Sequence, residues 1–401
     1  MPSPPPVYIN PAVGAAADRT STPRSEGREH LQPPPRSSAQ VVHRLLPAYA
    51  ETPLHSLPSV ARALGLGHVL VKDESQRFGL PSFKILGASW AVYRAVAERM
   101  GLRGGDGNGD DGAVASLLLD GKGQRDRSGG GIKVITCTAG NWGRAVARMA
   151  GYLGVAAVVY VPSHMPEQTR ELIRSEGAEV KVVEGGYDAA AEVAKGAGER
   201  EDGALLVMDI GWEGYESVPQ WVVEGYQTML DESDAQLLRA TGGQPATHAI
   251  VPVGCGSIAQ AVTHHYKSQA ADAAAAAAAA VLAVEPASAA CLRASLESGR
   301  MTSVTTKDSI MCGMNCGTLS TTAWPVLRAG IDGSVVVSDT EAHQAVQELK
   351  ALGVQAGPCG ASTLAALKKA CDVEKTRLGL TEQSVVVLYC TEGPREYAPP
   401  A

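Results

Sequence analysis

Residues 69–88 read VLVKDESQRFGLPSFKILGA. The stretch opens as a short apolar strand, Val69-Leu70-Val71, and passes into a charged, glycine-containing loop from Lys72 to Gly79. Ser82, Phe83 and Lys84 then lead into a segment that predicts a helix over 85–99. The chain's two phenylalanines, Phe78 and Phe83, both lie here. A lysine that follows an aromatic residue where a loop enters a helix can sit in an apolar pocket. Loss of hydration there lowers its pKa and makes the amine a nucleophile. A surface lysine at a helix start, mildly opposed by the helix dipole, fits the same residues. At this point both readings stay open.

The chain around this stretch has 401 residues, too many for one simple core, so one large or two associated domains are expected. Hydrophobic content of 45% and charged content of 19% are ordinary for a globular protein. A net charge of -7, with no basic run, argues against a nucleic-acid partner. The 44 glycines suit many strand-to-helix turns better than a helical bundle. Eight cysteines include no CxxC pair, and Cys312 and Cys316 have no histidine beside them. No structural metal is therefore expected, and the thiols read as buried, reduced groups of a cytoplasmic protein. No apolar run is long enough for a membrane span, and the N-terminus lacks a signal-peptide pattern.

Residues 1–40, rich in Pro, Ser and Arg, are expected to form a mostly disordered arm pinned by Tyr8-Ile9-Asn10-Pro11. From residue 41 strands and helices alternate. The predicted strands cover 69–71, 133–136, 156–161, 179–183, 204–208, 248–253, 281–285, 335–338 and 384–390. Between them lie predicted helices at 59–64, 85–99, 144–153, 167–176, 188–195, 218–230, 258–266, 341–352 and 362–370. Residues 102–131 read as a flexible surface insertion with an apolar island at 113–119, and the 273–280 alanine run as a lengthened helix end or loop. The alternation predicts an α/β protein of two domains, each an open, twisted, mostly parallel sheet covered by helices.

Several turns could carry chemistry. Gly254-Cys255-Gly256-Ser257 follows a strand and opens a helix, so its backbone can approach an anion at the helix's positive end. A dinucleotide variant, with Glu285 ending the next strand, is weaker because Ala259 stands where a third glycine belongs. Residues 137–143 (CTAGNWG) make a second such turn, offering amides and the Asn141 side chain. Asp209, in the run DIGWEGY, and Thr391 lie at strand C-terminal ends, where open α/β sheets bind ligands. Gly254–Ser257 is the clearest ligand-binding candidate of these; Asp209 alone is as well explained by a helix cap or a turn, and the 137–143 turn and Thr391 alone are weak signals. Together, a loop lysine, two anion turns and a terminal threonine form a plausible pyridoxal phosphate (PLP) constellation.

In the same order the chain resembles diaminopropionate ammonia-lyases, members of the fold-type II (tryptophan synthase β-like) PLP enzymes. The resemblance runs through Tyr8–Pro11, His43-Arg44, Thr52–Leu54, the KDESQRFGL segment at 72–80 and Ser82–Lys84. It continues through Thr138–Arg144, Asp209–Tyr215, Gly254–Ser257, Met311–Gly317 and Thr391–Gly393. It implies a larger PLP-binding domain from 41–86 and 210–401, a smaller domain from 87–209, and a homodimer. It makes Lys84 the Schiff-base lysine, preceded by Phe83, and puts Asn141 near the ring oxygen. Gly254, Cys255, Gly256 and Ser257 become the phosphate loop, and Thr391 the partner of the pyridine nitrogen. Asp209 becomes the acid beside a small amino-acid substrate, with Ser82, Thr138, Ala139, Gly140, Trp142 and Tyr215 lining the pocket.

Two departures stand out. Where the family reads T-D-G-N-H-G, this chain has Ala139 for the acid and Trp142 for the histidine; where it reads G-E-S-G, the chain has Gly357-Pro358-Cys359-Gly360. The implied reaction is α,β-elimination of ammonia from 2,3-diaminopropionate, giving pyruvate and ammonia. The family is thought to use two acids, one for each substrate enantiomer. Keeping Asp209 without the other implies the L form. Elimination or replacement on another β-substituted alanine is an alternative, and a catalytically silent PLP-binding homologue is another.

Overall fold

The computed structural model describes residues 5–11, 13, 28–31, 38–102, 111–120, 131–138, 140–268 and 278–400. Eleven strands are present among them: β1 (Val7–Ile9), β2 (Leu54–Ser56), β3 (His68–Asp73), β4 (Lys133–Cys137), β5 (Ala156–Pro162), β6 (Glu179–Val183), β7 (Ala204–Leu206), β8 (His248–Pro252), β9 (Ala280–Pro286), β10 (Gly333–Val337) and β11 (Val385–Cys390). The chain divides into two compact units. The first is Met1–Pro34, Glu51–Gln76 and Met229–Ala401, and the second is Pro35–Ala50 and Arg77–Thr228.

The first unit holds a seven-stranded sheet in the order β1-β10-β9-β8-β11-β3-β2. Its five inner strands are parallel, and only the edge strands β1 and β2 pair antiparallel. A parallel sheet covered on both faces needs strands apolar on both sides, which is why β11 (VVVLYC) is a continuous buried run. The core joins Val69, Val71, Ile250, Leu282, Val386 and Leu388 to Leu364 and Leu367 of the helix Pro358–Glu374. The helix Asp339–Ala351 starts with a capping box, Ser338 and Glu341 each satisfying the other's backbone N–H. Tyr8-Ile9-Asn10 pins the N-terminal segment: β1 pairs with β10, and Asn10 Nδ2 donates to the carbonyls of Arg328 and Ile331 at 3.0 and 2.9 Å.

The second unit is built on a fully parallel four-stranded sheet, β6-β5-β4-β7. One face packs Ile135, Val158 and Met208 against Ala190 and Ala194 of the helix Tyr187–Arg200. The helix Lys84–Arg99 is buried along most of its length and crosses the helix Ser217–Gly225 at a glycine contact. A Cβ on Gly87 would stand 2.7 Å from Tyr226 and Val222, so only glycine lets the two backbones approach this closely.

Several elements differ from expectation. The 113–119 island lies in a helix, Asp111–Leu119, tied down where Tyr93 Oη donates to Asp111 Oδ1 at 3.0 Å. The rest of the expected insertion lies outside the described residues, except for 102, 120 and 131. The predicted helix over 218–230 is two helices, Ser217–Gly225 and Gln227–Ala240. An unforeseen helix, Cys291–Ser298, starts where the Glu285 carboxylate accepts from the N–H groups of Leu292 and Arg293 at 2.7 and 2.8 Å. Glu285 is thus a buried helix cap, which removes the dinucleotide variant. Most of the 1–40 arm and residues 273–277 of the alanine run lie outside the described residues. No described helix is long and apolar enough to cross a membrane.

Candidate active site

In the second unit the approach to Lys84 is a tight hairpin. Arg77 and Leu80 exchange both backbone hydrogen bonds at 2.9 Å, which puts Phe78 and Gly79 at φ 51° and 71°. Positive φ at a phenylalanine costs about 1–2 kcal/mol. The ring is buried against His43 and Tyr49, and this burial offsets the strain. Ser82 Oγ accepts from the Lys84 N–H at 3.3 Å, just ahead of the helix that begins at Lys84. Phe83 packs its ring 4.8 Å from that of Tyr226.

Lys84 Nζ donates to Asp209 Oδ2 at 2.6 Å, with 22% and 8% of the two side chains exposed. A carboxylate here offsets the unfavourable placement of a cation at a helix start. The ammonium also lies 5.8 Å from the centre of the Trp142 ring. Trp142 is buried, and its indole N–H donates to Thr136 Oγ1 at 2.9 Å, which fixes the ring against β4. The pair thus combines a charged contact with an apolar, π-faced wall.

The turn after β4 is stapled by Thr138, whose Oγ1 accepts from the N–H groups of Gly140 and Gly143 at 2.9 and 3.0 Å. Asn141 is the first residue of the helix Asn141–Tyr152 and is half-buried. Ala139 lies outside the described residues. Cys137 is not a nucleophile here, because burial first and the charge of Asp209 second push its thiol up to about 12. Tyr215 was expected to face substrate. Its phenol instead donates to the Leu206 carbonyl at 2.7 Å and accepts from Met208 N–H at 3.1 Å. Burial pushes this phenol's pKa well up, so it stays neutral.

In the first unit Gly254–Ser257 follows β8 and opens the helix Ser257–Ser268. The first-turn N–H groups of a helix have no intrahelical acceptor, so this end suits an anion. Gly256 sits at φ 99°, and a Cβ there would meet Ala323 at 2.9 Å. A Cβ on Gly254 would press on the Gly313 carbonyl at 3.2 Å. Ser320 N–H donates to the Cys255 carbonyl at 2.8 Å, which draws residues 319–323 onto the loop. The neighbouring Thr321 Oγ1 and Asn315 Oδ1 are buried polar atoms without a hydrogen-bond partner among the described residues. A glycine turn at a helix N-terminus with such atoms near it fits a phosphate. Thr391 is buried directly after β11, where a Cβ on Gly360 would stand 2.6 Å from Cys390 Sγ and 3.1 Å from Thr391 N.

Of the residues picked out in the sequence, Lys84, Asp209 and Trp142 therefore come together, and Gly254–Ser257 forms a glycine turn at a helix N-terminus. Ser82, Thr138 and Tyr215 spend their hydroxyls on backbone. Sequence reasoning passed over Thr136, Met208, Asn315 and Thr321, because nothing in their local pattern separates them from ordinary turn and strand residues.

This fold and these turns define a class. The family described as "Pyridoxal-phosphate dependent enzyme" matches residues 45–391. The chain belongs to that family, in its fold-type II branch, and takes PLP as cofactor. Within the branch it is closely related to diaminopropionate ammonia-lyases. That of Salmonella typhimurium is 35% identical over 289 residues, 71% of this chain and 68% of that protein. That of Escherichia coli strain K12 is 29% identical over 368 residues, 88% and 87% of the two chains. A crystal structure of the selenomethionine-incorporated holo enzyme from Escherichia coli superposes with a TM-score of 0.78 at 26% identity, covering 96% of this chain and 93% of that one. The protein is a PLP-dependent enzyme of the carbon–nitrogen lyase type that works on small amino acids.

Proposed function

We propose that the enzyme removes ammonia from 2,3-diaminopropionate, L form preferred, and leaves pyruvate and a second ammonia after hydrolysis. The observation that carries this reading is the Lys84–Asp209 pair, an amine and a carboxylate 2.6 Å apart beside an apolar wall. The two ammonia-lyase relatives support it. In the second unit, Lys84 would carry the cofactor and Asn141 would meet its ring oxygen. In the first, Gly254–Ser257 would hold the phosphate and Thr391 would meet the pyridine nitrogen.

PLP supplies an electron sink for the pair left on Cα when its proton is removed. Asp209 accepts that proton at Oδ2. Lys84, an ammonium once it no longer carries the cofactor, gives a proton to the departing β-nitrogen, so the Cβ–N bond breaks with loss of neutral ammonia. The uncharged hydroxyl of Thr391 does not stabilise a protonated pyridine, which favours prompt elimination over transamination. With Ala139 in place of a second acid, proton removal comes from one face only. The Trp142 indole excludes water and limits the room beside Lys84.

That buried indole, where the resembling lyases carry histidine, also favours a second reading: elimination or replacement on another β-substituted alanine. Pyruvate release from L- and D-2,3-diaminopropionate and a panel of β-substituted alanines, with PLP-loaded protein, separates the two. Best turnover of L-2,3-diaminopropionate is expected. Equal turnover of both enantiomers would overturn the one-face assignment, and faster turnover of another substrate would select the second reading. On the resemblance alone, we propose a cytoplasmic homodimer, which light scattering of the purified protein tests for oligomeric state.

A further inference from the structure

β7 is the outer strand of the four-stranded sheet, so one of its edges has no strand neighbour in that sheet. On the inner edge, pairing runs one residue past the strand, with Val207 N–H donating to the Ile135 carbonyl at 2.8 Å. Backbone groups alternate between the two edges, so those of Leu206 and Met208 point outward. An open C=O and an open N–H two residues apart form the template on which another strand would pair.

One side chain takes that place. Tyr215 Oη donates to the Leu206 carbonyl at 2.7 Å and accepts from Met208 N–H at 3.1 Å, as a strand neighbour would do with two groups. Only a group that both donates and accepts can do this, and a neutral phenol is one. The ring is held in turn: Trp212 and Tyr215 close a tight bridge, their rings stack at 4.2 Å and 12°, and Lys195 Nζ lies 4.2 Å over Trp212. Met208 is also fixed from the other side, its sulfur 3.3 Å from Cys137 N and 3.7 Å from the Thr136 hydroxyl that receives the Trp142 indole. The residue after Met208 is Asp209, with its carboxylate on Lys84.

We propose that Tyr215 is a positioning residue for the reaction: its phenol completes the open edge of β7, sets the direction in which Asp209 leaves the strand, and so holds the carboxylate on Lys84. This rests on the roles given to Lys84 and Asp209 above. Tyr215 acts through Asp209, so its hydroxyl matters only while Asp209 is present.

Tyr215→Phe removes the hydroxyl and keeps the ring stack. In the PLP-loaded protein, the Met208 amide is expected to exchange with solvent deuterium faster than in the wild type. KM and PLP content should stay near native, while kcat falls by about ten- to a hundredfold. In an Asp209→Asn background, Tyr215→Phe should lower kcat no further. Native exchange at Met208, a native kcat, or losses that multiply in the double variant would each overturn the proposal. A loss of kcat that tracks lowered PLP content or thermal unfolding temperature would overturn it as well, by marking a merely structural role. Failure of the underlying assignment shows separately, as undiminished turnover in Asp209→Asn alone.

Discussion

Lys72 and Lys84 come from the same stretch of sequence and meet opposite fates. Lys72 is fully buried in the first unit, and its ammonium donates to the Thr52 carbonyl at 2.7 Å and to Glu232 and Gln236 at 3.0 Å each. Thr52 in turn donates to Glu74 at 2.5 Å. An ammonium has three donors, and here three acceptors meet it, so it has no hydrogen left for chemistry. Lys84 sits in the second unit at a helix start, keeps 22% exposure and lies beside a carboxylate and an indole face. A sealed, fully satisfied charge holds a fold together; a charge that is held but still reachable can react. The sequence offers both as lysines near glycine and aromatic residues, and only their surroundings tell them apart.

The sharpest way to break this contrast is to exchange the losses. Lys84→Ala is expected to lower kcat by at least about a thousandfold and to abolish borohydride fixation of PLP to the chain, with thermal unfolding near native. Fixation at Lys72, mapped by peptide analysis, would reverse the assignment. Lys72→Met should do the opposite. It leaves Glu232 buried without its cation, so denaturant unfolding should show a loss of about 3–5 kcal/mol, while protein that remains folded still fixes PLP. A native unfolding midpoint would mean that the buried pair contributes little.

Trp142→Phe sharpens the contrast from the side of the wall. The lost indole bond to Thr136 should cost about 1 kcal/mol of stability. The freed space should shift relative kcat/KM across β-substituted alanines toward bulkier groups, and an unchanged ranking would exclude Trp142 from substrate choice. The last test concerns a third buried ionisable group, Glu285. Burial raises its pKa to about 7, against partial lowering by the N–H groups of Leu292 and Arg293. Below the ordinary glutamate value both folded and unfolded forms are protonated, and the group's contribution to stability is fully present. As pH rises toward 7 the unfolded chain ionises first, and that contribution is lost. Thermal unfolding between pH 5 and 7 should therefore decline more in the wild type than in Glu285→Gln, and parallel profiles would refute the shift.

Much of the scaffold was legible along the chain. Strands announce themselves as short runs of β-branched residues between turns, which is why the half-exposed edge strand β6 is placed to the residue and the buried β11 to within one. The expected helix over 218–230 is interrupted between Gly225 and Gln227, where a Cβ on Gly225 would collide with the Leu86 carbonyl, a close approach that no local pattern encodes. The helix Cys291–Ser298 was missed because its cap, Glu285, comes from the preceding strand rather than from the usual N-cap position. At the site, Lys84 and Asp209 were each readable as residues at an edge where ligands bind. Their 2.6 Å contact spans 125 positions, and no local pattern encodes it.

By itself the sequence determined the alternation of strands and helices, the glycine turn at 254–257 and a lysine at a helix start, because these depend on neighbours along the chain. The tertiary structure alone decided which hydroxyls face backbone and which lysine is sealed. It also decided that the Tyr215 hydroxyl bonds the backbone of Leu206 and Met208. Hydrogen-bond partners are chosen by whatever unsatisfied donor or acceptor lies within reach after folding, and that choice is made in space rather than along the chain.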